Sequence, residues 1–361
     1  MKYIGKVLGW ILLGVNAVVA VMLLFSAYSP YIQPQVHPVL SCAGLAFPVF
    51  LVLNVLFLFF WLIVYRKYML FPLLTMALCW GAIRTYIPIN WFADEKPAEG
   101  TIKILSYNTE AFANRKPHSK KTPNPVLAYL VDSDADIICL QECAWGDKLK
   151  KKDVDYALRN YRYKHHHSLS KGRNGLACYS RYPILSATPI KYKSIGNGSI
   201  AYRIKVEEDT LLVINNHLES FRIKESDVEI YHSMMENLNR QELASGSKTL
   251  LKKLSLPAAT RARQADSIAK HISRSPHQKV IVCGDFNDSP ISYTHRVVGR
   301  NLKDAFVESG NGWGISYHEN RFYFRIDHIL LSKNMKSYDC TVDHSVKSSD
   351  HYPIWCHIAL N

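Results

Sequence analysis

From Met1 to Phe92 the chain contains no aspartate and no glutamate, and its only formal charges are Lys2, Lys6, Arg66, Lys67 and Arg84. Water-exposed surfaces mix both signs of charge, so an ordinary soluble domain is set aside for this part. The eight cysteines form no CxxC pair and no cysteine–histidine spacing of the zinc type, which argues against a zinc ribbon or a thiol-redox centre. Internal repeats and low-complexity tracts are also missing, so repeat architectures are not in question. The acid-free part holds +5 of the formal net charge of +14 and leaves +9 to residues 93–361. A basic soluble part favours anionic partners such as phosphates, nucleic acid or anionic lipid, with plain solubility as the other reading of the same charge.

Apolar runs fill the acid-free part. Val7 to Ala27 and Val39 to Tyr65 carry no charge, and each exceeds the roughly 20 residues that span a bilayer as helix. A third run, 69–91, is interrupted by Arg84, which near a helix end can snorkel to the headgroups. A cleaved signal peptide is the competing reading of the first run. That run is longer than the roughly 7 to 15 residues of a signal core, and two more runs follow it. Lys2, Lys6, Arg66 and Lys67 flank the runs, while the loop from Tyr28 to His37 has no lysine or arginine. By the positive-inside rule the N-terminus is cytoplasmic, and three crossings put the C-terminal domain outside the cytoplasm; two would leave it inside. Uncleaved multiple spans suit a bacterial inner membrane, with the lipid bilayer as the first partner. Nothing in the sequence specifies a protein partner.

The hydrophobic period changes after a polar linker, Ala93 to Gly100. Ile102–Tyr107, Asp136–Leu140, Leu176–Tyr179, Leu211–Asn215, Lys279–Cys283 and Ile326–Leu331 are short runs rich in Ile, Val and Leu, which read as strands. Ala258 to Ile272 reads as a helix with Ala262, Ala265, Ile268, Ala269 and Ile272 on one face and Arg261, Arg263 and Lys270 off it. The expected class is α/β or α+β with one large sheet system. The basic runs Arg115–Lys121 and Lys148–Lys152 read as solvated loops, or as the border of an anion site. His165, His166 and His167 read as an exposed loop rather than a metal site, because neighbours in an extended segment point to opposite sides. Cys340 and Cys356 are a possible disulfide outside the cytoplasm.

Acidic, amide and imidazole side chains recur directly after these strands. Asn108 and Glu110 follow the first, Glu142 the second, His217 the fourth, and Asp285 and Asn287 the fifth; Asp327 lies in the sixth, and Asp350 and His351 precede Tyr352-Pro353-Ile354. One such residue is usually a turn or cap. Six clusters are different, because gathered carboxylates repel unless a cation or protons compensate them. Oxygen-rich ligation favours Mg²⁺ or Mn²⁺ over zinc.

The ordered motifs SYN, LQE, SRYPI, NNHLES, GDFND, RIDHILLS and SDHYPI resemble the endonuclease/exonuclease/phosphatase superfamily, which includes pancreatic-type deoxyribonucleases, abasic-site endonucleases, neutral sphingomyelinases and inositol-polyphosphate phosphatases. The resemblance covers residues 101–361 and none of the membrane part. It implies a four-layer sandwich of two packed β-sheets flanked by helices, here behind a transmembrane helical region. It also implies a metal-dependent phosphodiester or phosphomonoester hydrolase acting on nucleic acid or a phospholipid headgroup. Glu142 would be the principal Mg²⁺ ligand, supported by Asn108 and Asp350, with Glu110 offering a second-metal role. Asp285 would position or deprotonate the attacking water, and Asn287 and His217 would hold phosphate oxygens. His351, oriented by Asp327, would contact the scissile phosphate; the base stays open between Asp285 and His351. Asn174, beside Arg173, is a further candidate to reach substrate, or a turn residue. The stretch from Glu219 to Pro257 matches no motif and is a candidate determinant of substrate choice. The rival reading is an inactive membrane-tethered module that binds a phosphate ligand.

Overall fold

A computed structural model describes residues 2–92, 99–119, 121–169, 174–221, 229, 240–319 and 322–360. Most of the Ala93–Gly100 linker, Lys120, Arg173 and much of the Glu219–Pro257 stretch lie outside the described residues.

The acid-free part is helical: α1 (Lys2–Tyr28), α2 (Pro38–Ser41), α3 (Phe47–Val64), α4 (Leu70–Leu78) and α5 (Trp80–Tyr86), with a 3-10 turn at Cys42–Ala46. Two stretches, Lys6–Tyr31 and Pro38–Val64, are long and apolar enough to cross a membrane. The third run is not the single straight helix its hydropathy suggests. It breaks at Cys79, which leaves helical geometry, and α4 and α5 bend by 66°; Gly81, with its poor helix propensity, follows at once. The helices still link two distinct ends. At one, Tyr65 lies against Gly9 and Trp61 stacks edge-on against Tyr68. At the other, Phe47 meets Tyr86, which also packs on Trp313 of the second domain.

That second domain has two mixed six-stranded sheets, not one. The first contains β1 (Thr101–Asn108), β2 (Ile137–Gln141), β3 (Tyr163–Leu169), β4 (Asn174–Ser180), β11 (Lys336–Val342) and β12 (Ile354–Ala359), in the order β11-β12-β1-β2-β4-β3. The second contains β5 (Ile184–Pro189), β6 (Gly198–Val206), β7 (Asp209–His217), β8 (Val280–Asp285), β9 (Leu302–Asp304) and β10 (Asp327–Ser332), in the order β5-β6-β7-β8-β10-β9. Strands β1, β2, β4, β7, β8 and β10 are buried on both faces, which is why they read as continuous apolar runs. On β1, Ile102 and Ile104 enter the core between the sheets, whereas Leu105 and Tyr107 pack outward under α6 (Pro125–Asp132) and α7 (Lys151–Ala157). The outer face of the second sheet is covered by Ala265 and Ile268 of α8 (Arg240–Arg274) and by Val298 of α9 (Tyr293–Val298). A short α10 (Ala305–Ser309) closes one edge. The layers therefore run helix, sheet, sheet, helix.

Several local expectations change. Arg261, placed off the apolar face of its helix, is fully buried: it donates to Asp288 (3.3 Å) and the Glu219 carbonyl (2.9 Å) and lies on the Phe221 ring. The three histidines form strand β3 rather than a loop, and they alternate as a strand requires: His165 faces Tyr202, while His166 packs on Trp145. Cys340 and Cys356 sit on the paired strands β11 and β12 as free thiols. All eight cysteines are free.

The two parts are joined by polar contacts at one end of the helices. Arg296 Nε donates to the Pro30 carbonyl (2.8 Å), Arg325 to the Thr85 carbonyl, and the Asn90 amide to the carbonyls of Val307 (3.1 Å) and Gly310 (2.6 Å). Gly44 allows the closest approach, since a Cβ there would lie 2.1 Å from the Ile291 carbonyl oxygen. Gly44→Ala should therefore destabilise the full chain by about 1–3 kcal/mol through overpacking. Gly14→Ala, where a Cβ meets nothing within 4 Å, should instead leave stability unchanged or raise it by up to about 1 kcal/mol through helix propensity. Thermal unfolding in detergent compares them, and equal melting temperatures would show that the docking is loose.

Candidate active site

Each sheet has one parallel pair at its centre, β1 with β2 and β7 with β8. Parallel strands end on the same side, so their last residues collect at one edge. Asn108 and Gln141 end the first pair in register, and His217 and Asp285 end the second. Strand β10 runs antiparallel to β8 and starts with Asp327 opposite Asp285. The loop before β12 brings Asp350 and His351 to the same edge. Gly284 makes the β7–β8 approach possible: its φ is +126°, and a Cβ there would lie 2.1 Å from the Asn216 carbonyl oxygen. Glu142 and Asn287 adopt left-handed backbone at φ 50° and 49°, a conformation that non-glycine residues hold mainly at functional turns.

The side chains converge on one cavity of about 300 Å³, lined by Glu142, His217, Asp285, Asn287, Asp350 and His351 on its polar side. His351 Nδ1 donates to Asp327 Oδ2 at 2.7 Å, which turns Nε2 towards the cavity, 3.7 Å from Asp285 Oδ2. His217 Nε2 lies 3.6 Å from the same Asp285 oxygen and 3.7 Å from Glu142 Oε1. Asn108 Nδ2 donates to Asp285 Oδ2 (3.1 Å), and the Asn287 backbone N–H to Asp285 Oδ1 (2.8 Å). Asn287 Nδ2 donates to the Leu218 carbonyl at 3.0 Å. Asn174 is no mere turn residue: its amide nitrogen lies 3.4 Å from His217 Nδ1. Glu110 lies near Asp350 and Glu142 but is bonded by Asn114 (2.8 Å) and does not line the cavity.

The electrostatics are those of crowded carboxylates. Burial raises the pKa of Glu142, and Asp350 raises it further. Burial likewise raises that of Glu110, with Asp350 and Glu142 adding to the effect. Asp285 is pushed up to about 6, chiefly by burial. Burial also opposes a charge on His351, but Asp327, Asp285 and Asp350 outweigh it and raise its pKa well above the ordinary value. Burial lowers that of His217. No lysine or arginine lines the cavity among the described residues, so the basic runs Arg115–Lys121 and Lys148–Lys152 do not border it. Asp327 Oδ1 is buried with no hydrogen-bond partner. Such a surplus of carboxylate oxygen fits a divalent cation. Asp285, Asp327 and His351 form one group of possible ligands at this site, with atoms within 4.8 Å of one another. The Nδ1 of His351 is already bonded to Asp327, which leaves the side of Glu142 and Asp350 better suited to a metal.

A sequence profile of the endonuclease/exonuclease/phosphatase family matches residues 105–351. The chain belongs to this family. Its members are typically hydrolases of phosphoester bonds and generally use divalent metal ions. The family fold is seen in an endonuclease/exonuclease/phosphatase from Bacteroides vulgatus (15% identity, TM-score 0.51, covering 73% of this chain and 100% of that one). D. rerio TDP2 humanized by 14 mutations aligns at 17% identity, with a TM-score of 0.49 over 72% of this chain and 99% of its own. The human Nocturnin catalytic domain with bound sulfate gives 15% identity and a TM-score of 0.49 over 75% and 98%. Residues 9–86 match a domain of unknown function, and no curated protein matches the chain.

Part of the site was not apparent from sequence. Leu45, Phe221, Leu254, Tyr317, Phe322 and Phe324 also line the cavity, and single apolar residues scattered over separate segments give no signal that they share a site. Gln141 and Asn215, bonded at 2.6 Å across the two sheets, were visible only as letters inside LQE and NNHLES. Ser349, whose hydroxyl donates to the Asn108 carbonyl (2.8 Å), was likewise only a letter in SDHYPI.

Asp327→Asn keeps the shape of the pair but removes the charge that holds His351. In this family member it should lower kcat on a soluble phosphodiester by about a hundredfold or more with little change in KM. An unchanged kcat in steady-state assays would make the pair a structural contact.

Proposed function

We propose that the chain is an Mg²⁺- or Mn²⁺-assisted phosphoester hydrolase that works by in-line attack of water. The observation carrying this reading is the convergence of Glu142 and Asp350 with Asp285, His217 and the Asp327–His351 pair in one cavity. Glu142, Asp350 and Asn108 would hold the cation, with Glu110 close enough to help with a second. When bound, the ion neutralises charge developing on the phosphate oxygens.

The other side chains divide the remaining work. Asp285 Oδ2 faces the Asn108 amide and both imidazoles; with a pKa of about 6 it is ionised at neutral pH and suited to accept a proton from water. The Asn174 amide donates to His217 Nδ1, so a neutral His217 carries its proton on Nε2 and offers it to a phosphate oxygen. His351, kept cationic by Asp327, presents Nε2–H to the phosphate or the leaving oxygen. Asn287 stands beside them as a further amide donor.

The catalytic domain sits at the end of the helices opposite Lys2, Lys6, Arg66 and Lys67, with Arg84 alone near its own end. With the bent α4–α5 pair counted as a third span, the positive-inside rule puts the catalytic domain outside the cytoplasm, in keeping with a bacterial inner membrane. In intact cells, Lys148→Cys should then react with a membrane-impermeant maleimide and Lys67→Cys should not; the reverse pattern would invert the topology.

Full-length protein in detergent with Mg²⁺ should hydrolyse bis-p-nitrophenyl phosphate, and Glu142→Gln or His351→Ala should each reduce kcat by about a thousandfold. Equal turnover by wild type and both variants, or none by any, would leave a membrane-tethered phosphate-binding module as the better reading.

A further inference from the structure

We infer that the phosphoester is carried by a membrane lipid, which enters the cavity from the leaflet on which the catalytic domain sits. This rests on the hydrolase reading above and adds the substrate class.

The acid-free helical part itself contributes a residue to the lining of the catalytic cavity. Leu45, on the turn Cys42–Ala46, shares the cavity with Glu142, Asp285 and His351. That turn leads directly into α3, where Val49, Val52 and Leu56 are exposed. Val49 is four residues past Leu45, about 6 Å along a helix axis, so the cavity lies within a headgroup's depth of the apolar helix surface. The same end of the helices carries exposed aromatic rings, with Tyr28, Tyr31, Trp91 and Phe92 at 52%, 67%, 78% and 97% of full exposure. Rings of this kind mark the membrane–water interface.

The lining is of two kinds. Beside the carboxylates and imidazoles it holds the apolar side chains Leu45, Phe221, Leu254, Phe322, Phe324 and Ile326. Leu254 belongs to α8, which also exposes Leu251 and Leu256, so the apolar lining continues onto the helix surface outside. A soluble headgroup phosphate has no use for such a lining. A phosphate linked to an acyl or similar apolar body has, because its first carbons are buried while the phosphate meets the metal side. A cavity of about 300 Å³ takes the phosphoester and the adjoining atoms, and the tail remains in the bilayer.

Nucleic acid fits the lining less well. Proteins follow a polynucleotide by neutralising successive phosphates with lysine and arginine, and no described residue of this lining is either. Hydrolysis needs one water: its oxygen bonds to phosphorus, one ester P–O bond breaks, Asp285 takes the water's proton and the leaving oxygen gains one from His351. A lipid phosphodiester then yields one alcohol and one phosphomonoester.

The test uses the full chain in nanodiscs with Mg²⁺. Phosphatidylethanolamine, phosphatidylglycerol, phosphatidylcholine and sphingomyelin are supplied in the disc, with their chain-free headgroup diesters, a single-stranded DNA oligonucleotide and bis-p-nitrophenyl phosphate in solution. At least one lipid should exceed its chain-free counterpart at least tenfold in kcat/KM and exceed the oligonucleotide. Leu45→Asp and Leu254→Asp should lower the ratio of lipid to bis-p-nitrophenyl phosphate turnover at least tenfold, and Leu45→Met should keep it. If bis-p-nitrophenyl phosphate is cleaved but no lipid exceeds its chain-free diester, or the oligonucleotide is preferred, the lipid assignment fails alone. If no diester is cleaved, the hydrolase reading fails with it.

Discussion

Five carboxylates stand close together at one end of this domain, and no lysine or arginine among the described residues lines the cavity beside them. The surrounding structure is arranged to hold that unfavourable charge in place. Buried carboxylates repel and lose solvation, which is why Asp285 and Glu142 resist ionisation and why His351 is held in its charged form. The Asp327–His351 bond is the internal part of the compensation, and a divalent cation is what the remaining oxygen surplus suits. A divided electrostatic environment of this kind is useful for transferring protons next to a phosphate.

The two-sheet architecture supplies the rigidity that this charge arrangement needs. Two central parallel pairs, one per sheet, end at the same edge, so residues far apart in the chain become neighbours. Polar residues also cross the core to fix one sheet against the other: Asn215 donates to the carbonyls of Leu140 and Ala177 and accepts from Gln141. A buried amide bonded as fully as Asn215 specifies one alignment of the sheets. The site therefore depends on relative sheet position as much as on its own side chains.

The membrane part contributes to the same cavity. A turn that is short, apolar and close-packed through Gly44 against Ile291 brings Leu45 to the catalytic groups. Docking through Arg296, Arg325 and Asn90 ties the orientation of the catalytic domain to the helix ends. Access to the cavity is thus shaped by the helical part as well as by the family fold.

Sequence alone determined what local chemistry can encode. The acid-free apolar runs, the six strands with strong apolar content and the polar residues at their ends were all legible, because burial on both faces and placement after a strand leave their mark within a few residues. The weaker strands β3, β5, β6, β9, β11 and β12 were not, since β3, β5, β9 and β11 lie at sheet edges and β6 and β12 interleave polar residues with apolar ones. The division into two sheets followed from the family resemblance and not from the strand pattern, whereas the break at Cys79, the burial of Arg261 against Asp288 and the contact of Asn174 with His217 came only from the tertiary structure. So did the place of Leu45 in the cavity lining. These depend on residues brought together from distant parts of the chain, and neither period nor composition records which distant partners will meet.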